Sequence, residues 1–347
     1  MVDIHKVRRS NTEYFPNLPF VAVFVGGTQG IGRYAVEELA KLYSQPILRV
    51  YILGRNKTSA DEVLASCRRL CPHGKFTFVQ ARNLALLEDV DATCAEIIRL
   101  ERQEDHPRID LLVQTQAQIH FGARRDTPEG LDQQLSLLYY SRIRFITQLM
   151  QLLEASTVPS GARVVSIDAA GAESILLRDD LSLRDPQHYS IMNAKSHAAY
   201  MTTMAFEHLA SQHRRVGLVY MYPGLVFGPA HYDPQLPWWF KAGRMLLEPL
   251  LRWSFATPSA DSGARTLFLA SACFASAQNS SSGELAPGTD GSIGSGCYAV
   301  GRLNENLATD KYTRKYATLR DEELMDLVWK HTTDAFDTIS GGNRFDS

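Results

Sequence analysis

Residues 189–195 read YSIMNAK, and two of the seven are of a kind that moves protons. A tyrosine phenol has an ordinary pKa near 10, so it donates at neutral pH and turns into a base only beside a cation. An ammonium about 4 Å from a phenolate is worth roughly 4 kcal/mol at an effective dielectric of 20. On a helix, residues four apart lie about 40° apart around the axis, whereas residues six apart lie about 240° apart and some 9 Å along. Lys195 stands six after Tyr189, and the residue four after it is Asn193. The spacing therefore predicts a surface or packing role for Lys195. It leaves Asn193, a hydrogen-bonding group without charge, on the tyrosine's side. Two further side chains have acid–base capacity. Asp168 closes the apolar run ARVVSID, where a carboxylate acts as a base or as counter-charge to a cationic substrate. His120 follows VQTQAQI and is a substitute acid or base.

A second constellation is built from glycine. VFVGGTQGIGR (23–33) spaces Gly26, Gly30 and Gly32 as G-x-x-x-G-x-G, between an apolar run and a segment of helical period. Glycine permits the tight turn and lets the backbone approach a pyrophosphate lying on a helix N-terminus. The next apolar run ends in LGRN, where NAD sites usually place a carboxylate for the ribose 2′-hydroxyl. Arg55 stands there instead, with Arg33 at the start of the first helix, and two guanidinium groups favour a 2′-phosphate. The expected cofactor is NADP(H).

These groups need a scaffold, and the pattern supplies one. Six short runs, 19–27, 47–55, 75–82, 109–116, 162–168 and 216–224, are β-rich and almost continuously apolar, as strands covered on both faces are. Segments of helical period separate them, including 30–44, 59–71, 87–103, 131–154 and 190–212. Such alternation predicts right-handed crossovers and a doubly wound, mostly parallel Rossmann sheet. The α/β domain is expected to span 19–330, after an N-terminal extension (1–18) and before a tail (331–347). CYAVGR near 297–302 predicts a last strand and RDEELMDLVWKHTTDAF a last helix. Within the domain lies the strongly apolar PWWFKAGRMLLEPLLRW. Trp238, Trp239 and Phe240 would line an apolar pocket there, or form core, a dimer contact or a membrane-surface patch.

Taken in order, Gly26-x-x-x-Gly30-Ile31-Gly32, DLLVQTQA, ARVVSID, Tyr189 and the YPG at 222–224 resemble the short-chain dehydrogenases/reductases. The likeness covers roughly 18–275 and is greatest to fungal members of secondary-metabolite pathways. It implies a cofactor site that also takes in Thr28, Gln29, Asn56, Asn83, Leu84, Gln114, Pro223, Gly224 and Val226, with Tyr189 and Asn193 shared with the catalytic site. It also implies a substrate lid at about 225–260, and that a tyrosine, lysine, serine and asparagine do the chemistry. Only the tyrosine carries over, as Tyr189. Asn193 stands at the lysine position, Ala169 or Asp168 at the serine position, and the asparagine position falls near Leu138. The expected activity is thus NADPH-dependent reduction of an activated C=N, C=C or C=O in a lipophilic metabolite. A non-redox cyclase or isomerase on the same scaffold is one alternative, and a non-catalytic NADP(H)-binding protein another. The helices at 129–154 and 190–212 form a dimer interface in many relatives, which makes a homodimer an expectation by analogy.

Composition narrows the class. At 347 residues, 45% of them hydrophobic, the chain has ample material for one large core. A formal charge of −2 gives no electrostatic reason to expect nucleic acid or an anionic membrane as partner. Five cysteines, an odd number, favour reduced thiols and a cytoplasmic location. Cys67, Cys71 and His73 lie close together, but no second pair of ligands follows, so no metal is expected. No secretory signal and no membrane span is read from the hydrophobic runs.

Overall fold

The computed structural model describes residues 1–15, 19–44, 47–234, 236–279, 285–308 and 322–347. Seven strands form one sheet: β1 (Phe20–Val25), β2 (Leu48–Gly54), β3 (Lys75–Gln80), β4 (Leu111–Gln114), β5 (Ala162–Ile167), β6 (Val216–Met221) and β7 (Cys297–Val300). Their order is β3-β2-β1-β4-β5-β6-β7, and every pair is parallel. The apolar runs read in the sequence are these strands, trimmed by one to three residues at their ends. The central strands β1, β4, β5 and β6 are buried along their whole length. Residues alternate between two cores, one on each face of the sheet.

The order reverses between β1 and β4, and there the first helix, α2 (Gly30–Leu42), begins directly above the sheet. A doubly wound sheet opens its binding crevice at such a reversal. Helices α2, α3 (Lys57–Leu70) and α9 (Ser259–Phe268) are apolar on the sheet side. The extension at 1–18 contains α1 (Ile4–Tyr14), which buries Val7 and Asn11; Asn11 donates to the Ala264 carbonyl of α9 at 2.9 Å. On the other face lie α4 (Leu87–Glu101), a short α5 (Gln133–Leu135) with a π-helical turn at Ser136–Tyr140, α6 (Ser141–Glu154) and α7 (Ile191–Gln212).

The last helix, α10 (Glu322–Ser340), crosses the boundary expected at 330 and closes that face. Trp329 stacks on His208 of α7 at 4.3 Å, and Arg144 of α6 sits over the Phe336 ring. Tyr139 and Tyr140, in the π-turn, reach Thr332 at 2.6 Å and His331 at 2.7 Å. Helix α10 thus packs on part of the surface expected to meet a second subunit, chiefly along α7. Helix α8 (Trp238–Ser254) behaves differently: none of its residues is buried. The lid region of the sequence is therefore a surface helix. Its ends are tied down by buried Leu236 and by the Thr257 N–H, which donates to Leu225. Part of the glycine-rich loop expected after α9 lies outside the described residues.

Candidate active site

A cleft of about 410 Å³ opens at the C-terminal ends of β1, β2 and β4. Its floor is the glycine turn. Gly26 and Gly30 have φ of +82° and +54°, a region that side chains other than glycine enter at a cost. A Cβ on Gly26 would lie 2.7 Å from the Thr115 hydroxyl, and one on Gly32 would lie 2.5 Å from the Gly26 carbonyl. Gly30 has open space where its Cβ would be, on the cleft side. Gln29 stands at the cap of α2 without its side chain accepting from the helix (its amide donates to Ser59 Oγ at 3.4 Å), leaving the first N–H groups of the helix for a ligand. The turn is a cradle for a phosphate-bearing group.

The walls come from the strand ends and the β6–α8 segment: Thr28, Gln29, Ile31, Arg55, Asn56, Asn83, Leu84, Leu137 and Val226 line the cleft, as do Gly228, Pro229 and His231. Arg55 is exposed on the rim with no ion pair among the described residues. Arg33 does not line the cleft. Its guanidinium is tied to Glu37 at 3.1 Å and Glu62 at 3.3 Å, so the pair of cations expected for a 2′-phosphate reduces to Arg55. Gln114 is also withdrawn: fully buried, it donates to the Arg142 carbonyl at 2.9 Å, and Thr115 to Ile119 form the wall instead. Gln116 is buried with its Oε1 unpartnered, an acceptor that a bound amide or hydroxyl would satisfy. Pro223 and Gly224 pack against Thr257 and Arg302 rather than the cleft, and Gly32 sits behind the cradle.

The proton-transfer groups are arranged otherwise than the sequence predicts. Ser190 caps α7, accepting from the Asn193 N–H at 3.0 Å, so Tyr189 lies ahead of the helix. Its hydroxyl points to the Asp132 carboxylate, 3.2 and 3.3 Å away, and it is not on the cleft. Burial and then Asp132 push its pKa up, the reverse of an activated phenol. The Asn193 amide turns back to donate to the His188 carbonyl at 2.7 Å. His120 lies in the loop after β4 with Nε2 3.4 Å from the Ala123 carbonyl, off the cleft.

With Tyr189 outside the helix, the 240° rotation that turned Lys195 away has no basis. Lys195 is partly buried, and its charge acts on Asp168. Asp168 leaves the end of β5, partly buried, within 3.4 Å of the Tyr220 hydroxyl. Burial raises its pKa, against the opposing pull of Arg142 and Lys195. Arg142 is fully buried, and all its contacts are oxygen acceptors. Nε meets Leu137 O at 3.1 Å, Nη2 meets Gln116 O at 2.7 Å, and Nη1 meets Ser166 Oγ, Ile167 O and Gln114 O at 2.7, 3.0 and 3.4 Å. It straps the cleft wall at Gln116 to the end of β5, one residue before Asp168. Leu138 is buried in the π-turn, and its neighbour Leu137 reaches the cleft.

No family model matches the chain. Among curated proteins it is 34% identical to "Oxidoreductase AN1596" of Emericella nidulans, over 97% of this chain and 98% of that one. It is 34% identical to "Short-chain dehydrogenase/reductase SAT2" of Stachybotrys chartarum, over 99% of each. The chain belongs to the short-chain dehydrogenase/reductase family. Solved members share the fold at low identity. The "Pseudomonas aeruginosa RhlG/NADP active-site complex" superposes with a TM-score of 0.53 at 19% identity, covering 74% of this chain and 91% of that one. The "angucycline C-6 ketoreductase LanV with bound NADP" gives 0.53 at 19%, covering 73% and 89%.

Within this family frame, the sequence assigns no role to Asp132, Arg142 and His231, and it places Lys195 at the surface or in packing. His231 had an accessible signal, standing seven residues past the Pro-Gly turn that ends β6. Its Nδ1 lies 3.3 Å from the Gly228 N and O, and burial lowers its pKa, favouring the neutral ring. A second crevice, about 650 Å³, lies between 178–188 and α10. Acidic and basic side chains alternate around it, and none of its lining residues belongs to a strand end.

Proposed function

We propose that the protein is an NADPH-dependent reductase of an activated, lipophilic secondary metabolite, acting in the cytoplasm. The observation that carries this is the contrast at the cleft: the phosphate cradle is complete, while Tyr189 is held by Asp132 with its pKa raised. The cradle residues fit NADP(H). Gly26, Gly30 and the free N-terminus of α2 would hold the pyrophosphate, Arg55 the 2′-phosphate, and Asn83 and Leu84 would flank the adenine. When bound, NADPH supplies hydride; the protein's share is orientation, exclusion of water and a proton.

The proton would come from Asp168, on which the charge of Lys195 acts; neither lines the cleft, so the substrate would have to extend from it to the end of β5. Burial raises the Asp168 carboxyl above its ordinary range, and a carboxyl remains a stronger acid than a phenol whose pKa has been raised. Reduction of an iminium, enone or activated carbonyl needs little more than this. Alcohol oxidation would need a strong base at Tyr189, where the geometry supplies an acceptor for its proton but no cation beside the phenol within hydrogen-bond reach. Because α10 packs chiefly along α7, we read the protein as using its own helix where relatives use a partner, with any homodimer built elsewhere.

The test is NADPH consumption by purified protein with a panel of iminium, enone and ketone substrates, followed by product mass. A gain of two hydrogens is expected. Product without that mass change, or without cofactor, would instead establish the cyclase or isomerase reading, which the Asp168–Lys195 pair also suits. Tight NADPH binding with no turnover would leave a binding protein.

A further inference from the structure

The helix α8 presents an outward face that the cleft does not use. At 100° per residue, eight residues lie within about 70° of one line along the helix: Trp238, Trp239, Ala242, Met245, Leu246, Pro249, Leu250 and Trp253. All eight are apolar, and all are exposed. Trp238 is 78% exposed, Leu246 79% and Trp253 86%, and Phe255 extends the patch past the helix end. Such a surface is costly in water and marks a binding face.

Charge selects the occupant. Lys241 and Arg252 follow one border of the apolar face, both exposed. Glu248, the carboxylate of α8, is engaged by Arg244 at 2.7 Å, Arg252 at 2.7 Å and Tyr232 at 2.5 Å, which leaves the helix with three cations, Lys241, Arg244 and Arg252, against one carboxylate. The border is therefore cationic although the chain as a whole is not. A second copy fits poorly. In an antiparallel pairing about a two-fold axis through the middle of α8, Lys241 of one copy would meet Arg252 of the other. Three tryptophans and a cationic border on a helix about 25 Å long match instead the interfacial zone of an anionic bilayer. Besides its ends, α8 is held by Trp239 and Phe240 against Phe121, with ring centroids 5.0 and 5.2 Å apart, by Arg252 over the Phe227 ring, and by Glu248 and Arg252 on the Tyr232 hydroxyl, which leaves Trp238, Met245, Leu246 and Trp253 facing out.

We propose that α8 docks the protein in-plane on an anionic membrane surface. It would place the cleft mouth, at Gly228 to His231 just before α8, against the bilayer. This stands whether or not the chain turns over NADPH.

The test is flotation of the full chain with vesicles of phosphatidylcholine alone or mixed with phosphatidylserine, with tryptophan emission as a second readout. The wild-type chain is expected to float with the phosphatidylserine vesicles at least about tenfold more strongly than with the neutral ones, with a blue shift. Leu246→Glu should abolish both, and Lys241→Glu should weaken flotation about tenfold; unchanged NADPH binding by Leu246→Glu would show that its fold is intact. Failure of the wild type to float, flotation that survives Leu246→Glu, or a concentration-dependent dimer that Leu246→Glu dissolves would each overturn the proposal.

Discussion

Two strand-to-helix junctions rise from the same sheet, and they are built on opposite plans. From β1 to α2 the chain needs only Gly26 to Gln29, and the function lies in the backbone: two positive φ angles, two close approaches and free N–H groups. From β5 to α7 it needs Asp168 to Ser190, and everything rests on side chains reaching distant partners: Tyr189 to Asp132, Asn193 to the His188 carbonyl, His188 to Asp180 at 2.8 Å. The first kind of junction is specified locally, because only glycine fits its geometry. The second is specified by tertiary packing, so its chemistry can drift while the fold stays. The family resemblance is accordingly close at the cradle and loose at the proton-transfer groups.

The largest expected effect lies at the first junction. Gly32→Val puts a branched side chain where a Cβ alone would be 2.5 Å from the Gly26 carbonyl. NADPH affinity, read by fluorescence titration, should fall more than about a hundredfold. A fall under threefold would mean that the turn is not a cofactor cradle.

Acid should act on the second junction and spare the first. His331 lies beneath it, 2.7 Å from the Tyr140 hydroxyl and 3.5 Å from that of Ser182. Burial lowers its pKa from 6.5 to about 4. Between those values the unfolded chain binds a proton that the folded chain does not, so stability is present above pH 6.5 and is lost as pH falls towards 4. The loss amounts to about 3 kcal/mol. Denaturation across that window should show it, His331→Gln should flatten the slope, and hydrogen exchange should rise at 178–189 before it rises at 26–31.

Substitutions among the proton donors sharpen the comparison further. Lys195→Met should lower kcat about a hundredfold, whereas Tyr189→Phe should change it less than about threefold. The opposite ranking would restore the tyrosine as donor. On cofactor binding, Arg55→Gln is expected to act less than Gly32→Val, weakening NADPH about tenfold and NADH hardly at all, since one exposed guanidinium on a phosphate is at stake.

The sheet, its order of elements and the glycine turn were legible because each rests on local rules: apolar runs, periodicity and the conformational freedom of glycine. Arg55 was legible for the same reason, standing at a fixed offset from a strand end. Arg33 was half legible: its i,i+4 partner Glu37 stands in the same helix, but Glu62, the second carboxylate on it, comes from another. The case of Lys195 is instructive. The rotation rule was sound, but it was applied from a residue that lies before the helix; the serine in YSIMNAK, an N-cap residue, was the missed signal. Asp132 and Arg142 were out of reach, since a partner 57 residues away, or a buried cation bound only to oxygens of other segments, leaves no spacing to read. The fate of α8 could not be read from its composition, which suits a lid, a core or a surface equally.

Arg142 has a consequence for how such proteins diversify. Its guanidinium clasps main-chain carbonyls from β4, β5 and the π-turn, and the residues above it, Asp168, Tyr189 and Asn193, take no part in that clasp. The strand tips are set like stones in a mount, and the reactive side chains are fitted afterwards. A lineage can therefore exchange its acids and bases one at a time, try a new transformation and keep a folded, cofactor-ready body throughout. Loss of Arg142 would end that freedom, for every later change would have to hold the mount together as well as serve the reaction.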